Sequence, residues 1–442
     1  MTQYDCDALG IGFGPSNMAM AVAHDALEKN EEGTVLRLCF IEKNEIFDWH
    51  PGMLLDQADM QVSFLKDMAT SVDPTSPYTF LNYMKKTDGL NDFINLRTFY
   101  PPRMEYRNYL RWVADQFDHL VRYNSEVVNI DALTKNTEID GFSIRYRDRV
   151  TGAENTMTAR NIILACGAMP KLPRDCKASF SERVIHSSAF LNNLETTYPE
   201  QTRDYRFLVI GSGQSSAEMF NHLYTNYPNA KVRLVTPNIG FKPADDSEFV
   251  NKLFYNSFID EYYTAAPSFR EDFVRKHKDS NYSAVDVGLI AGVAADMYAD
   301  RRFQSNRLSH TRFARVREIK ESDGVEVVLE NDLTGETDTH HCDAVFLGTG
   351  YRFDSGLDLI EGIHEHIIWD DNDQPVLNRD YSIKARDMSA KIYLLGPTEH
   401  THGLASTLLS LMPQRAQEIM ASIIENIDQP QTGSVQRQVK VG

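Results

Sequence analysis

The apolar positions near the start of the chain follow the order of a strand, a glycine-containing turn and a helix. An apolar run at residues 6–9 enters a turn at residues 10–17, and helical spacing of apolar residues continues to residue 28. A second apolar run at residues 35–41 ends at Glu42. This pattern predicts a βαβ unit that opens near residue 6.

A second block with the same order begins near residue 205. The block starts at residue 205 and residues 207–210 are apolar, residues 211–218 contain two glycines, and the predicted helix runs to residue 227 before another strand at 231–236. Two such openings in one chain are typical of proteins that bind two dinucleotides. We therefore predict an α/β fold with two Rossmann-like dinucleotide-binding domains and a small helical excursion.

Two further apolar strands end in small-residue turns, at 162–168 and 344–351. In flavoproteins with two dinucleotides, such strands carry the chain between the domains. They predict one dinucleotide-binding domain formed by residues 1–170 and 345–442, a second one inserted at 171–344, and a helical segment at 243–310 inside that insert. The spacing also predicts a helix over residues 405–427.

The first glycine turn has the residue types that a pyrophosphate site requires. Glycines let the backbone approach the phosphates at the positive end of the following helix. The acid at the end of the next strand is placed to accept a hydrogen bond from a ribose hydroxyl. The predicted dinucleotide-binding residues are Gly10, Gly12, Gly14, Pro15, Ser16 and Glu42.

The second turn contains Gly211, Gly213, Gln214 and Ser215. The following strand end, at 236–238, carries no Asp or Glu. Because an acid there would repel a 2′-phosphate, its absence is compatible with NADPH, while NADH stays open. For either turn, the alternative is an ordinary α/β turn without a ligand.

Composition narrows the choice of partner. The chain has 63 acidic and 45 basic residues, a net charge of −18 that opposes binding to nucleic-acid phosphates. No stretch approaches the roughly 20 apolar residues of a membrane span, and the first residues lack signal-peptide features. The five cysteines and 13 histidines show no metal-binding spacing. We expect a cytoplasmic protein with no nucleic-acid partner, no integral membrane segment and no metal.

A series of polar and aromatic segments follows in fixed order along the chain. They are GFGPSN (12–17), WHPGM (49–53), MQVSFLKD (60–67), DPTSPYTFLNYM (73–84), GSGQSSAE (211–218), DDSEFVN (245–251), SNYS (280–283) and THGLASTLLS (401–410). Together they resemble the microbial flavin-dependent N-hydroxylating monooxygenases of siderophore biosynthesis, the ornithine and lysine N-monooxygenases. The resemblance extends over most of the chain. It implies that residues 1–170 and 345–442 form the FAD-binding domain, that the insert at 171–344 binds NADPH, and that the helical excursion at 243–310 is the substrate-binding segment.

The resemblance implies roles for residues at both cofactors. Met60 and Gln61 resemble the pair that flanks the isoalloxazine ring, and Arg103 matches a cation near the flavin. Gln214 and Ser215 resemble contacts to the nicotinamide cofactor. It also implies a homo-oligomer.

The resemblance likewise implies substrate contacts. Lys66, Asn251 and Asn281 resemble residues that hold the amino acid, and Asn281 also matches one that meets the cofactor ribose. Thr407 matches a hydroxyl beside substrate and flavin. Gln61, Asn281 and Thr407 are therefore the catalytic candidates. The alternative is structural: a salt bridge for the lysine, and turn or cap positions for the others.

The implied reaction is N-hydroxylation of the terminal primary amine of a small metabolite. FAD, NADPH and O2 act through a C4a-hydroperoxyflavin, and the hydroxylamine product supplies a siderophore hydroxamate or related metal-chelating group. L-Ornithine is the default substrate. Lysine and the decarboxylated amines putrescine, cadaverine and histamine remain alternatives, because Lys252 stands where an acid is usual in the ornithine enzymes. Another two-dinucleotide flavoprotein oxidoreductase is a further alternative.

Overall fold

The computed structural model describes residues 4–28, 36–245, 247–280, 282–353 and 356–428. In chain order its strands are β1 (Cys6–Ile11), β2 (Leu38–Ile41), β3 (Val121–Arg122), β4 (Ser125–Lys135), β5 (Glu138–Asp148), β6 (Glu154–Leu164), β7 (Met169–Pro170), β8 (Val184–His186), β9 (Arg206–Ile210), β10 (Lys231–Val235), β11 (Leu308–Thr311), β12 (Ala314–Glu321), β13 (Val325–Asn331), β14 (Thr337–Cys342), β15 (Ala344–Leu347), β16 (Tyr351–Arg352) and β17 (Ile392–Leu394).

The α-helices of the described residues are α1 (Pro15–Glu28), α2 (Phe80–Lys86), α3 (Leu90–Leu96), α4 (Arg103–Asp115), α5 (Phe190–Thr197), α6 (Gln214–Asn226), α7 (Asn256–Thr264), α8 (Pro267–His277), α9 (Val287–Arg302), α10 (Glu399–His402) and α11 (Met412–Asp428). Short 3₁₀ turns connect several of them. No described helix is both long enough and apolar enough to cross a bilayer.

The first sheet has the order β3-β2-β1-β6-β5-β4, with β17 also paired to β6. β1 is parallel to both β2 and β6, whereas β4, β5 and β6 form an antiparallel extension. Ala8 packs into the core on one face and Leu9 into the core on the other. Burial on both faces explains why β1 is apolar from Ala8 to Ile11 without alternation.

The second sheet has the order β11-β10-β9-β15-β8, and its pairings are all parallel. A three-stranded antiparallel sheet, β12-β13-β14, packs beside it. β7 and β16 pair with each other, so the two connections between the large sheets lie side by side. The predicted α/β class with two Rossmann-like sheets is confirmed, while the exact domain boundaries stay a prediction.

The C-terminal helix begins later than the sequence pattern predicts, at Met412 rather than at residue 405. Residues 404–411 instead form two 3₁₀ turns. The guanidinium of Arg415 donates to the carbonyl oxygens of Ala405 and Ser406, and Pro413 has no N–H to donate. A regular helix could not keep its backbone hydrogen bonds through this stretch.

Candidate active site

The first glycine turn fits tightly against the first sheet. Gly12 has φ +84°, and a Cβ there would lie 2.6 Å from the carbonyl oxygen of Ala165. A Cβ on Gly10 would lie 2.4 Å from the ring of Phe40. A Cβ on Gly14, in contrast, would have no atom within 4 Å, so open space lies in front of the N-terminus of α1. This space fits the pyrophosphate of a dinucleotide.

Glu42 follows β2 and is 8% exposed. Its Oε2 accepts a hydrogen bond from the backbone N–H of Phe13 at 2.7 Å, and Oε1 accepts one from Asn44 at 2.8 Å. Because a carboxylate can accept about four hydrogen bonds, capacity remains for a ribose hydroxyl. The predicted residues of the first turn therefore fit an adenine dinucleotide.

The second glycine turn is equally constrained. Gly211 has φ +137°, and a Cβ there would lie 2.4 Å from the carbonyl oxygen of Gly348. Gln214 and Ser215 form the first turn of α6. Beyond β10, the amide of Asn238 donates to the hydroxyl of Ser212 at 3.4 Å. The second turn is thus contacted by a neutral amide from beyond the next strand, whereas the first turn is contacted by the acid Glu42.

A cavity of about 700 Å³ is lined by segments that follow the two dinucleotide turns in the sequence. One wall is formed by residues 55–63, Lys66 and residues near 100 and 408–410, and the other by one face of α6 and the segments near 244–254 and 280–289. The cavity brings together, from distant parts of the sequence, the predicted site residues Met60, Gln61, Lys66, Gln214 and Asn251.

The remaining predicted residues lie elsewhere. Thr407 does not line the cavity, and its Oγ1 lies 3.2 Å from the hydroxyl of Tyr282. Ser215 lies in the first turn of α6, next to Gln214. Asn281 is outside the described residues.

Lys66 is held by its backbone while its ammonium faces the cavity. The hydroxyl of Tyr106 donates to the carbonyl oxygen of Lys66 at 3.0 Å, and the neighbouring Asp67 accepts from the N–H of Phe80 at the start of α2. Burial lowers the pKa of the Lys66 ammonium. Within the described part of the chain no carboxylate pairs with it, and its Nζ lies 5.8 Å from the ring centroid of Phe254.

Arg103 connects the two sides of the cavity instead of lining it. It opens α4, and its guanidinium forms two hydrogen bonds with Glu218 of α6, at 2.8 and 2.6 Å. The two side chains are only 11% and 6% exposed. Glu218 Oε1 also accepts from Gln214 Nε2 at 2.8 Å, and Gln214 Oε1 accepts from the backbone N–H of Asp286 at 2.9 Å.

Two residues on the cavity wall were missed by sequence reasoning. The hydroxyl of Ser410 is buried and has no hydrogen-bond partner among the described residues. It lies three positions after Thr407 in the same segment, so the motif located the region but not the hydroxyl. Glu218 carries a clearer signal, because a buried acid within the apolar face of α6 requires a partner.

Comparison with known proteins gives consistent matches. The model of the family described as L-lysine 6-monooxygenase/L-ornithine 5-monooxygenase matches residues 4–353. The L-ornithine N(5)-monooxygenase of Pseudomonas aeruginosa is 35% identical over 424 residues, covering 95% of this chain and 94% of that protein.

Solved structures agree along the whole chain. The ornithine N-hydroxylase of Kutzneria sp. 744, with reduced FAD, NADP⁺ and L-ornithine, has a TM-score of 0.89 and 34% identity, covering 96% of this chain and 99% of its own. The FAD-bound cadaverine monooxygenase of Erwinia amylovora, from the desferrioxamine pathway, has a TM-score of 0.83 and 26% identity, covering 100% and 98%.

Proposed function

The chain belongs to the L-lysine 6-monooxygenase/L-ornithine 5-monooxygenase family, and from this premise we propose that it N-hydroxylates the terminal amine of a small α-amino acid, first of all L-ornithine. The resemblance inferred from the motifs is confirmed. The chain is a flavin-dependent monooxygenase, and its cofactors are FAD and NADPH.

The observation that carries the choice of substrate is Lys66. Its half-buried ammonium faces the cavity, and the described residues offer it no carboxylate. A buried cation without a counter-ion is unfavourable, so a ligand carboxylate would be bound strongly there. L-Ornithine supplies that carboxylate, and its side-chain amine then extends away from Lys66 into the cavity.

Among the residues assigned to the cofactors, Met60 and Gln61 line one wall of the cavity and Gln214 lines another. We propose that Gly10, Gly12 and Gly14 hold the FAD pyrophosphate, Glu42 its ribose, and Met60 and Gln61 its ring. Bound FAD, reduced by the nicotinamide cofactor, supplies the activation of O2 that hydroxylation requires.

Gln214 and Ser215 would hold the nicotinamide cofactor at the start of α6, whose N-terminal dipole favours its phosphates. On the flavin side, the backbone of Met60 is held in place because its N–H donates to the carbonyl oxygen of Pro101 at 2.9 Å.

Polar groups around the amine complete the proposal. Asn251 and the unpaired hydroxyl of Ser410 line the cavity and can orient the substrate. The roles that the resemblance implies for Asn281 and Thr407 stay predictions, because Asn281 is outside the described residues and Thr407 does not line the cavity. The amine must be neutral to react, and a primary amine has an ordinary pKa near ~10.4. The partly desolvated cavity disfavours the ammonium and so favours the reactive form.

A decarboxylated diamine is the second candidate, because one structural relative is a cadaverine monooxygenase. Such a substrate would bring a second ammonium toward Lys66 and leave both cations unpaired. Lysine would keep the carboxylate contact but is one methylene longer than ornithine. The order of preference we propose is therefore ornithine, lysine and then the decarboxylated amines.

A substrate panel tests this proposal. Hydroxylamine formation and NADPH oxidation would be measured with ornithine, lysine, putrescine, cadaverine and histamine, in the wild type and in Lys66→Met. We expect the KM for ornithine to rise about 100-fold in the variant, since a charge-assisted contact is worth about 1.5–3 kcal/mol. The KM values for the decarboxylated amines should hardly change in this variant. Lys252→Met is the matched control, because Lys252 is exposed and does not line the cavity.

Two results would contradict the proposal. If none of the amines yields hydroxylamine above the uncoupled peroxide background, N-hydroxylation of this substrate class is wrong. If Lys66→Met weakens putrescine as much as ornithine, the carboxylate contact is wrong.

We expect a rise in pH to increase turnover through the substrate amine but to weaken the binding of the substrate carboxylate by Lys66. Turnover should increase with pH through about 8, because the neutral amine fraction increases. Because burial lowers the pKa of Lys66, its charge is lost at a lower pH than that of an exposed lysine. The KM for ornithine should therefore rise in the alkaline range, while that for putrescine should not.

We further propose that the hydroxylamine product supplies a siderophore hydroxamate or a related metal-chelating group. A cytoplasmic location and a homo-oligomeric state are part of the same proposal. Analytical ultracentrifugation of the FAD-loaded protein would test the oligomer, and a single monomer peak at micromolar concentration would contradict it.

A further inference from the structure

Glu218 lies at the centre of a hydrogen-bond network that connects the two sides of the cavity. On one side it binds Arg103, whose Nη1 also donates to the carbonyl oxygen of Met53 at 2.8 Å. On the other side it accepts from Gln214, which in turn accepts from Asp286. These hydrogen bonds thus join α4, which belongs with the sheet of the first glycine turn, to α6 and to the residue that precedes α9, which belong with the sheet of the second turn.

We propose that Glu218 is a positioning residue that fixes the side-chain amide of Gln214 for the nicotinamide cofactor. This inference rests on the proposed role of Gln214 in cofactor binding. Glu218 acts through Gln214, so it is not a catalytic residue.

The geometry determines which way the amide of Gln214 faces. Its Nε2 must point to Glu218, because a carboxylate only accepts, and its Oε1 must point to the N–H of Asp286, because that group only donates. A flipped amide would place Nε2 against the N–H of Asp286, which is donor against donor, and Oε1 against the carboxylate of Glu218, which is acceptor against acceptor. The side chain is therefore held in a single orientation before any cofactor binds.

The same carboxylate holds Arg103 with bidentate geometry, which adds directional specificity to charge. Both partners are buried, so removing one would leave the other charge without compensation. The segment that precedes Met60 is tied to Arg103, because the N–H of Arg103 donates to the carbonyl oxygen of Ala58 at 2.7 Å and its guanidinium donates to that of Asp59 at 3.5 Å. One acid therefore connects the wall assigned to the flavin with the wall assigned to the nicotinamide cofactor.

The test is a double-mutant cycle on NADP⁺ binding to the oxidised, FAD-loaded enzyme, measured by titration calorimetry. Glu218→Gln keeps the size of the side chain but presents a donor to Arg103 or to Gln214. We expect the Kd for NADP⁺ to rise about tenfold in Glu218→Gln and in Gln214→Ala. In the double variant the rise should stay close to that of Gln214→Ala alone, because Glu218 acts through Gln214.

The controls separate positioning from loss of structure. Glu330→Gln breaks the bidentate pair of Arg317 with Glu330 on the surface of β12 and β13, and it should leave NADP⁺ affinity unchanged. If Glu218→Gln does not fold, Glu218→Asp replaces it. The shorter acid keeps the charge for Arg103 but cannot reach both partners, so the same cycle applies.

The outcomes are distinct. Additive effects of Glu218→Gln and Gln214→Ala would overturn the positioning role. An unchanged Kd in Gln214→Ala would instead contradict the assignment of Gln214 to the cofactor, and with it the premise. Since NADP⁺ binding requires no amine substrate, neither result depends on which amine is hydroxylated.

Discussion

The two glycine turns have similar backbone constraints but differ in the side chain, from beyond the next strand, that forms a hydrogen bond with each turn. Beside the first turn the anionic Glu42 accepts from the backbone N–H of Phe13. Beside the second turn the neutral Asn238 donates to the hydroxyl of Ser212. An anion suits a ribose with two free hydroxyls, whereas a neutral amide leaves space for a 2′-phosphate. The difference indicates that similar turns select their dinucleotides at the following strand end.

The largest effect should come from the turn itself. Gly12→Ala would place a side chain on φ +84° and against Ala165, and we expect a loss of about 2–5 kcal/mol of stability and of all bound FAD. Flavin absorbance per chain and thermal unfolding would measure both. Gly152→Ala is the control, because it also has positive φ, at +74°, but no atom within 4 Å. Full FAD occupancy in Gly12→Ala would show that the turn is not constrained in this way.

Glu42→Gln should have the next largest effect. The amide can accept from only one of Phe13 and Asn44 and would leave the other N–H unpaired. That change corresponds to about 1–3 kcal/mol, so we expect FAD affinity to fall about 10- to 100-fold. Fluorescence titration of the apoprotein with FAD measures it, with NADP⁺ affinity as the internal control. An equal loss for both cofactors would remove the distinction between the turns.

Asn238→Asp should make the second turn resemble the first. The new carboxylate can keep the hydrogen bond from the N–H of Gly240 but adds a charge where a 2′-phosphate would lie. We expect NADP⁺ affinity to fall about tenfold relative to NAD⁺. Asn306→Asp, at an exposed position, is the matched control. An unchanged ratio would place the 2′-phosphate elsewhere.

The smallest effect on cofactor preference is expected from the substitution of Arg312. It follows β11, and the N–H of the next residue, Phe313, donates to the carbonyl oxygen of Asn238. Burial, and then the charge of Arg312, lower the pKa of His310, which places that cation near the strand end. Arg312→Gln should reduce the preference for NADP⁺ over NAD⁺ about two- to fourfold, as an exposed charge does. Arg315→Gln, which removes an exposed cation paired with Asp332, should leave the ratio unchanged.

Much of the fold is determined by local sequence. A parallel strand buried on both faces is apolar without alternation, so β1 and β9 are evident from the runs at residues 8–11 and 207–210. The glycine turns and the acid at residue 42 are equally local signals. The start of α11 is not, because the carbonyl oxygens of residues 405 and 406 are held by a side chain, Arg415.

The candidate site depends far more on tertiary structure. The motifs pointed to Lys66 and Gln214, but only the packing of the two halves places both on one cavity. The pairing of Arg103 with Glu218 joins residues 115 positions apart, and no local pattern encodes it. Sequence by itself determined the class of cofactor, because phosphate binding uses contiguous backbone. Tertiary structure decided which charges stay unpaired in the cavity, since burial and pairing arise only when distant segments meet.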